Sequence, residues 1–512
     1  MSRSIGNGAR SILTFAGLMI TAGCAVGPNF RQPDAPAVKG YTREPLAAKT
    51  TQADVAGGEA QRFVEGLDIP GQWWTLFHSK SLSTLIEQAL EANPSLAAAQ
   101  AALRVARENV LAQKGAFYPA VEANFTPSRN KTATASLSPA SASGNPYYTL
   151  YTGQLTVSYV PDVFGLNRRT VESLEAQAEA QRFQLEATYL TLTSNVVTAA
   201  VQEALLRGQI KATQEIITVE SEALEIMRRQ LSLGQIAGAD VAVQEATLAQ
   251  AQASLPPLQK QLAEQRDLLA ALAGRFPSEE PTEKFELGGL RLPQDLPVSL
   301  PAKLVRQRPD VAAAEAQLHS ASAEIGVAVA NMLPNVTLSA NGGYAANVIS
   351  RFFGPGTGYW AIAASLTQPI LEEGGTLLHR TRAARAAYEE AAAQYRSTVI
   401  AACQNVADAL RAVQSDADAL TAAVAAERAA ATTLNITRRQ LELGQVAYLL
   451  FINAENTYEQ AIISLVQARA ARYADTAALF QALGGGWWNR KDVVAAANQS
   501  KGSRPSGKPG SD

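Results

Sequence analysis

The sequence predicts a mostly α-helical protein that also carries transmembrane β-strands and repeats one unit twice. Three observations predict it. The first is a duplication: RRQLSLGQ begins at Arg228 and RRQLELGQ at Arg438, 438 − 228 = 210 residues apart. The second is a pair of very long runs rich in Ala, Gln, Glu and Arg, which are strong helix formers. The third is four segments of about ten residues with strict apolar/polar alternation, the period of a strand with two unlike faces.

The duplication extends well beyond one turn. EANPSLAAAQAAL from Glu91 matches RQRPDVAAAEAQL from Arg306, which sets Pro94 and Pro309 215 residues apart. Pro119 and Pro334 are also 215 apart, and Pro161 and Pro369 are 208 apart. A repeat of about 210 residues is a duplicated domain and not a short-period solenoid.

Each half reads in the same order. A short helix comes first, over Leu82–Leu90 or Leu300–Arg306. Next is a helix with Pro in its first turn, Pro94–Gly115 or Pro309–Ala330. A strand pair follows. A long helix then runs over Leu166–Leu233 or Thr376–Leu443 and stops at Gly234 or Gly444, glycine being the usual residue just past a helix end. A returning helix covers Ala239–Leu272 or Tyr448–Leu483. At 1.5 Å per residue each long run makes a rod of about 100 Å.

The alternation is explicit. Tyr151, Leu155, Val157 and Tyr159 share one face, and Thr152, Gln154, Thr156 and Ser158 the other. Val121, Ala123 and Phe125 alternate with Glu122 and Asn124. Val336, Leu338, Ala340 and Tyr344 alternate with Thr337, Ser339 and Asn341, and Trp360, Ile362, Ala364 and Leu366 form the fourth apolar face. A soluble half-buried sheet has the same period. Long Ser/Thr/Ala/Gly/Asn-rich loops over 127–148 and 345–358 favour barrel strands. Four strands close no barrel with a lumen, so the chain must oligomerise. Three copies give 3 × 4 = 12 strands and twelve rod helices, a ring with pseudo-sixfold symmetry.

Composition bounds the function. Of 512 residues 47% are hydrophobic and 18% charged, with a net charge of −2, so nothing invites nucleic acid. Arg3 and Arg10 precede a short apolar run, Ile12–Ile20, as in a secretory signal. Thr21-Ala22-Gly23-Cys24 resembles the lipobox of bacterial lipoproteins, with Thr21 where Leu is usual, and makes Cys24 the expected lipidation site. The other cysteine, Cys403, is expected to be small and buried. After the signal no run of about 18 apolar residues occurs, so β-strands must make any membrane crossing. His78, His319 and His379 are far apart in sequence. No metal-ligand, phosphate-loop or nucleophile motif appears, so neither an enzyme nor a cofactor is expected. Acidic residues on the long helices read as solvated faces.

The segments GCAVGPNFRQP, WWTLFHSKSLSTLIEQALEANPSL, PDVFGLNRR, RQRPDVAAAEAQL and ALGGGWW span Cys24 to Trp488. Together they resemble the TolC/OprM family of trimeric outer-membrane efflux proteins, in the lipoprotein branch that serves resistance-nodulation-division pumps. The resemblance implies an outer-membrane β-barrel continued by a 12-helix α-barrel through the periplasm. It implies a homotrimer, a periplasmic adaptor protein and an inner-membrane RND transporter as partners, and passive export of drugs or small toxic solutes. It implies this order: signal peptide 1–23; lipid-anchored extended strap 24–75; equatorial and helical segment 76–118; β-hairpin 119–161; helical hairpin 162–275. The second copy follows: linker, equatorial and helical segment 276–333; β-hairpin 334–369; helical hairpin 370–484; tail 485–512, disordered at its end.

The tips of the helical hairpins, at Gly234 and Gly444, are expected to meet the adaptor and to close at rest. Asp240 matches a family position that holds tip-to-tip contacts. In relatives the second turn commonly carries Asp at the inner constriction, where this chain has Leu449, Leu450 and Asn453. A gate closed by Leu449, with Asn453, Asp240, Arg228, Arg229, Arg438 and Arg439 supporting it, is the expectation. The arginine pairs equally suit helix C-terminal charges, and the leucines equally suit packing between hairpins. A type I secretion duct and a pore-free lipoprotein tether are the competing functions. Four Met and three His lend no support to metal-ion efflux.

Overall fold

The structure is a computed structural model that describes residues 25–38, 40–131, 133, 146–370 and 373–493. The signal segment, Cys24 and the end of the tail lie outside the described residues. The chain divides into two units. One comprises residues 1–33, 102–181 and 314–395, the other residues 34–101, 182–313 and 396–512.

The elements follow the duplicated order. The first copy has β1 (Arg62–Glu65), α1 (Lys80–Ala92), α2 (Pro94–Lys114), β2 (Ala120–Lys131), β3 (Tyr147–Tyr159), α3 (Leu166–Ser232) and α4 (Gly238–Leu272). The second has β4 (Asp295–Val298), α5 (Pro301–Gln307), α6 (Pro309–Ala330), β5 (Asn335–Ala346), β6 (Gly358–Thr367), α7 (Thr376–Glu442) and α8 (Tyr448–Ala482). The long helices α3 and α7 are both 67 residues. Among the described residues no helix is long and apolar enough to cross a membrane.

The first unit holds a four-stranded antiparallel sheet in the order β2-β3-β5-β6. Val157 lies opposite Val121 and Ala340, and Ala340 opposite Ile362, so all four strands carry their apolar residues on one face. Most of that face is uncovered: Val121, Phe125, Leu155, Trp360, Ile362 and Leu366 are each more than half exposed, while Phe352 folds onto it at Phe125 and Tyr344. A soluble half-buried sheet would cover it. Strand pairing also runs further than expected, to Lys131 opposite Tyr147 and to Ala346 opposite Tyr151, which shortens the predicted loops. Pro127 does not stop β2: it lies opposite Tyr151 and the pairing continues beyond it to Lys131.

The same unit grips the segment that follows Cys24. Val26 donates its N–H to the carbonyl of Phe164 at 3.1 Å. Arg169, almost fully buried, reaches the Val26 carbonyl at 2.9 Å and Asn29 Oδ1 at 2.8 Å. Gly27, at φ +93°, lies so close to Gly326 that a Cβ would stand 2.5 Å from its Cα. Phe30 stacks on His319 at 4.3 Å. The expected strap is therefore not uniformly extended. Residues 25–33 belong to this unit, and the rest, with β1 and a tight turn at 53–58, to the other.

The second unit centres on aromatic residues. Trp73, Trp74 and Phe77 are buried with Leu82, Leu85 and Ile86 of α1, and Trp73 stacks on Phe480 of α8 at 5.5 Å. β1 pairs in parallel with β4, a two-stranded link absent from the sequence-based expectation. Arg472 of α8, 1% exposed, donates to the carbonyls of Gly57 and Glu59 and to Gln61 Oε1 at 2.9–3.0 Å, fastening this stretch to the helix. Cys403 is half-buried and not fully buried, one position past the stripe Ala402, Val406 and Leu410 that α7 turns inward.

Candidate functional site: the helical-hairpin turns

Both turns belong to the second unit and begin alike. Gly234 (φ +74°) and Gly444 (φ +67°) are left-handed. Gln235 N–H bonds back to the carbonyl of Gln230 at 3.0 Å, and Gln445 N–H to that of Gln440 at 2.8 Å, so a glycine terminates each helix in the same way. A Cβ at either glycine would meet open space, so the backbone angle alone demands glycine.

The copies then diverge. Asp240 accepts the Ala237 N–H at 3.2 Å, capping the start of α4 where the helix dipole favours a negative charge. Its counterpart (240 + 210) is Leu450, which cannot cap. Leu450 and its neighbour Leu449 are 51% and 63% exposed, and Asn453 is exposed beside them. Within one protomer these leucines stay largely exposed, while the next residues, Phe451 and Ile452, are buried, Phe451 against Leu434 and Ala454 of its own hairpin.

The arginines separate as well. Arg228 pairs with Glu245 at 2.7 Å, with both side chains about half exposed, a bond worth about 0–1 kcal/mol. Arg438 lies over the Phe451 ring at 5.9 Å. Arg229 and Arg439 sit in the last turns of α3 and α7, where the dipole favours cations.

Sequence reasoning missed a buried polar network that joins the two hairpins. Glu220 of α3 and Gln244 of α4 are fully buried, and Glu455 of α8 is 3% exposed. Gln244 Nε2 donates to the Glu220 carboxylate and, at 3.1 Å, to its carbonyl. The Tyr448 phenol donates to Gln244 Oε1. Its ring packs against Leu224, Met227 and Val241 of the first hairpin and Leu434, Phe451 and Ala454 of the second. Burial, then the charge of Glu220, push Glu455 up to about 8. The same two causes push Glu459 up to about 7. Burial also raises Glu220. The expectation of solvated acidic faces fails here. A signal was available: Glu220 shares a helical face with Leu224 and Met227, and Glu455 shares one with Phe451 and Ile452.

The profile of the outer membrane efflux protein family matches this chain twice, over residues 85–275 and 300–485, one match per copy. The probable efflux pump outer membrane protein TtgC of Pseudomonas putida is 27% identical over 493 residues, covering 96% of this chain and 98% of that protein. Nodulation protein T of Rhizobium leguminosarum is 25% identical, covering 89% and 91%. Among solved structures, the outer-membrane channel OprN superposes with a TM-score of 0.81 at 26% identity, covering 91% of this chain and 100% of that one. The open-state MtrE outer membrane channel of Neisseria gonorrhoeae gives 0.77 at 26% identity, covering 92% and 100%. With two full matches to the family and the same fold along nearly its whole length, this chain belongs to the outer membrane efflux proteins of the TolC/OprM type.

Proposed function

We propose that three copies of this chain form the exit duct of a tripartite RND-type efflux pump, conducting drugs or small toxic solutes passively from periplasm to exterior. One observation carries the reading: a four-stranded sheet exposes a broad apolar face, polar only at one end where Arg129, Thr149 and Lys131 lie, and leaves β2 and β6 as open edges. In lipid every backbone group must be paired, so such a sheet is stable only when closed into a barrel. Its strands of 10–13 residues suit a tilted span of the hydrocarbon layer. The sheet's other face carries Thr156, Asn341 and Glu122, suited to a wet lumen.

In this reading Cys24 carries the lipid anchor, and the grip of Arg169 on the segment after it sets where the anchor enters the membrane. The turns at Gly234 and Gly444 meet a periplasmic adaptor, and an inner-membrane transporter supplies the energy. Leu449 and Leu450, exposed on one protomer, close the resting tip against neighbouring copies, with Asn453, Asp240 and the two arginine pairs around them. The test is the mass and conductance of the purified full chain. A trimer that forms pores in planar bilayers is expected. A folded, monomeric, non-conducting subunit in detergent would refute the proposal.

A further inference from the structure

The two copies of one turn treat one glutamate differently. Glu245 and Glu455 occupy equivalent positions (455 − 245 = 210). Glu245 is half-exposed and paired with Arg228. Glu455 is buried, and its equivalent arginine, Arg438, lies over Phe451. Facing Glu455 is Glu220, whose own counterpart (220 + 210) is Ala430, so only one of the two copies can form the pair.

No N–H or hydroxyl donor reaches either Glu455 carboxyl oxygen or Glu220 Oε1, and the two carboxyls lie close enough for the charge of Glu220 to act on Glu455. Two ionised carboxylates cannot face each other in a buried site, so one keeps its proton. Gln244 already donates to Glu220, which marks Glu220 as the ionised acceptor and Glu455 as the proton carrier. The surrounding charges are mostly negative, with one cation opposing them. Glu459 on α8 adds negative charge beside Glu220, and Asp240 on α4 faces Tyr448. Glu427 on α7 and Glu215 on α3 face Tyr458, while Arg438 on α7 is the cation acting on Glu455.

We propose that Glu220 and Glu455 share a single proton that clasps the two helical hairpins of each protomer together, and that its departure loosens the tip. This rests on the reading of the turns as the gate. With the proton bound, the O–H···O⁻ bond is charge-assisted and short. With it lost, two buried like charges repel. The clasp holds at low pH and releases as pH rises through about 8. The closed-to-open ratio falls by at most about tenfold per pH unit for each protomer, the limit for release of one proton.

The experiment compares the native trimer with Glu455→Gln, whose amide donates to Glu220 at every pH. The protonated-carboxyl infrared band and the open probability in planar bilayers are both followed from pH 6 to 9. The clasp predicts a component of that band, distinct from the one Glu459 loses near pH 7, that fades near pH 8 in the native trimer and is missing from the variant, with open probability rising only in the native protein. A native band with no component fading near pH 8, or the same component present in Glu455→Gln, overturns the shared proton. A band that behaves as expected while open probability stays flat in both proteins leaves the proton in place and overturns its role at the gate.

Discussion

The phenol of Tyr448 donates a hydrogen bond to Oε1 of Gln244, tying the first turn of one helical hairpin to the body of the other. The duplicated turn has Gly238 at the equivalent place (448 − 210), which can form no such bond. Replacing Tyr448 with Phe keeps the ring between its two apolar clusters and leaves a buried acceptor unpaired. The expected cost is about 1–3 kcal/mol, seen as a lower melting temperature and a larger leak of a bulky antibiotic across the outer membrane. Tyr448→Phe cells with native leak rates would remove this bond from the resting tip.

Leu449 and Asn453 make no buried contact in the protomer, so replacing both with Ala should leave its folding almost untouched. If they narrow the closed pore, single-channel conductance and antibiotic leak both rise. Unchanged conductance and unchanged leak would exclude the gate assignment.

Ile362 and Thr156 lie on opposite faces of the sheet. Ile362→Arg places a charge on the apolar face and should cost about 2–4 kcal/mol near the bilayer midplane, read as a sharp fall in assembled trimer. Thr156→Arg on the polar face should assemble normally and change ion selectivity instead. Equal assembly of the two variants would contradict the outward direction of the apolar face.

The buried carboxyls also set the pH dependence of stability. Glu455 and Glu459 have folded-state pKa values near 8 and 7, above the ordinary Glu value. Raised carboxyl values stabilise the fold most fully below the unfolded value, and that stability is lost as pH climbs through the folded value. The melting temperature should therefore fall between pH 6 and 9, and Glu455→Gln should flatten much of that fall. A native melting temperature that is constant or rises over this range would contradict the burial of these groups.

Much of the architecture was legible because it rests on short-range regularities. The 210-residue repeat, the glycine stops at 234 and 444, and the alternation in the four strands each follow from local backbone geometry, and they located the long helices and strands to within a few residues. The strand ends at Lys131 and Ala346 were not legible, since polar residues and Pro127 look like a loop until a partner strand pairs with them. The pinning of residues 25–30 by Arg169, and of residues 57–61 by Arg472, was equally hidden, because each arginine lies more than 100 residues from the backbone it holds.

The duplicated plan and the mostly helical class with an amphipathic sheet could be read from the residues in order, since periodicity and propensity are properties of neighbouring residues. Packing in three dimensions left most of the sheet's apolar face open, and it buried Glu220 and Glu455 together while Glu245 stayed half-exposed. Burial and the approach of two carboxyls from helices 235 positions apart (455 − 220) depend on how chains pack, and no local pattern specifies that.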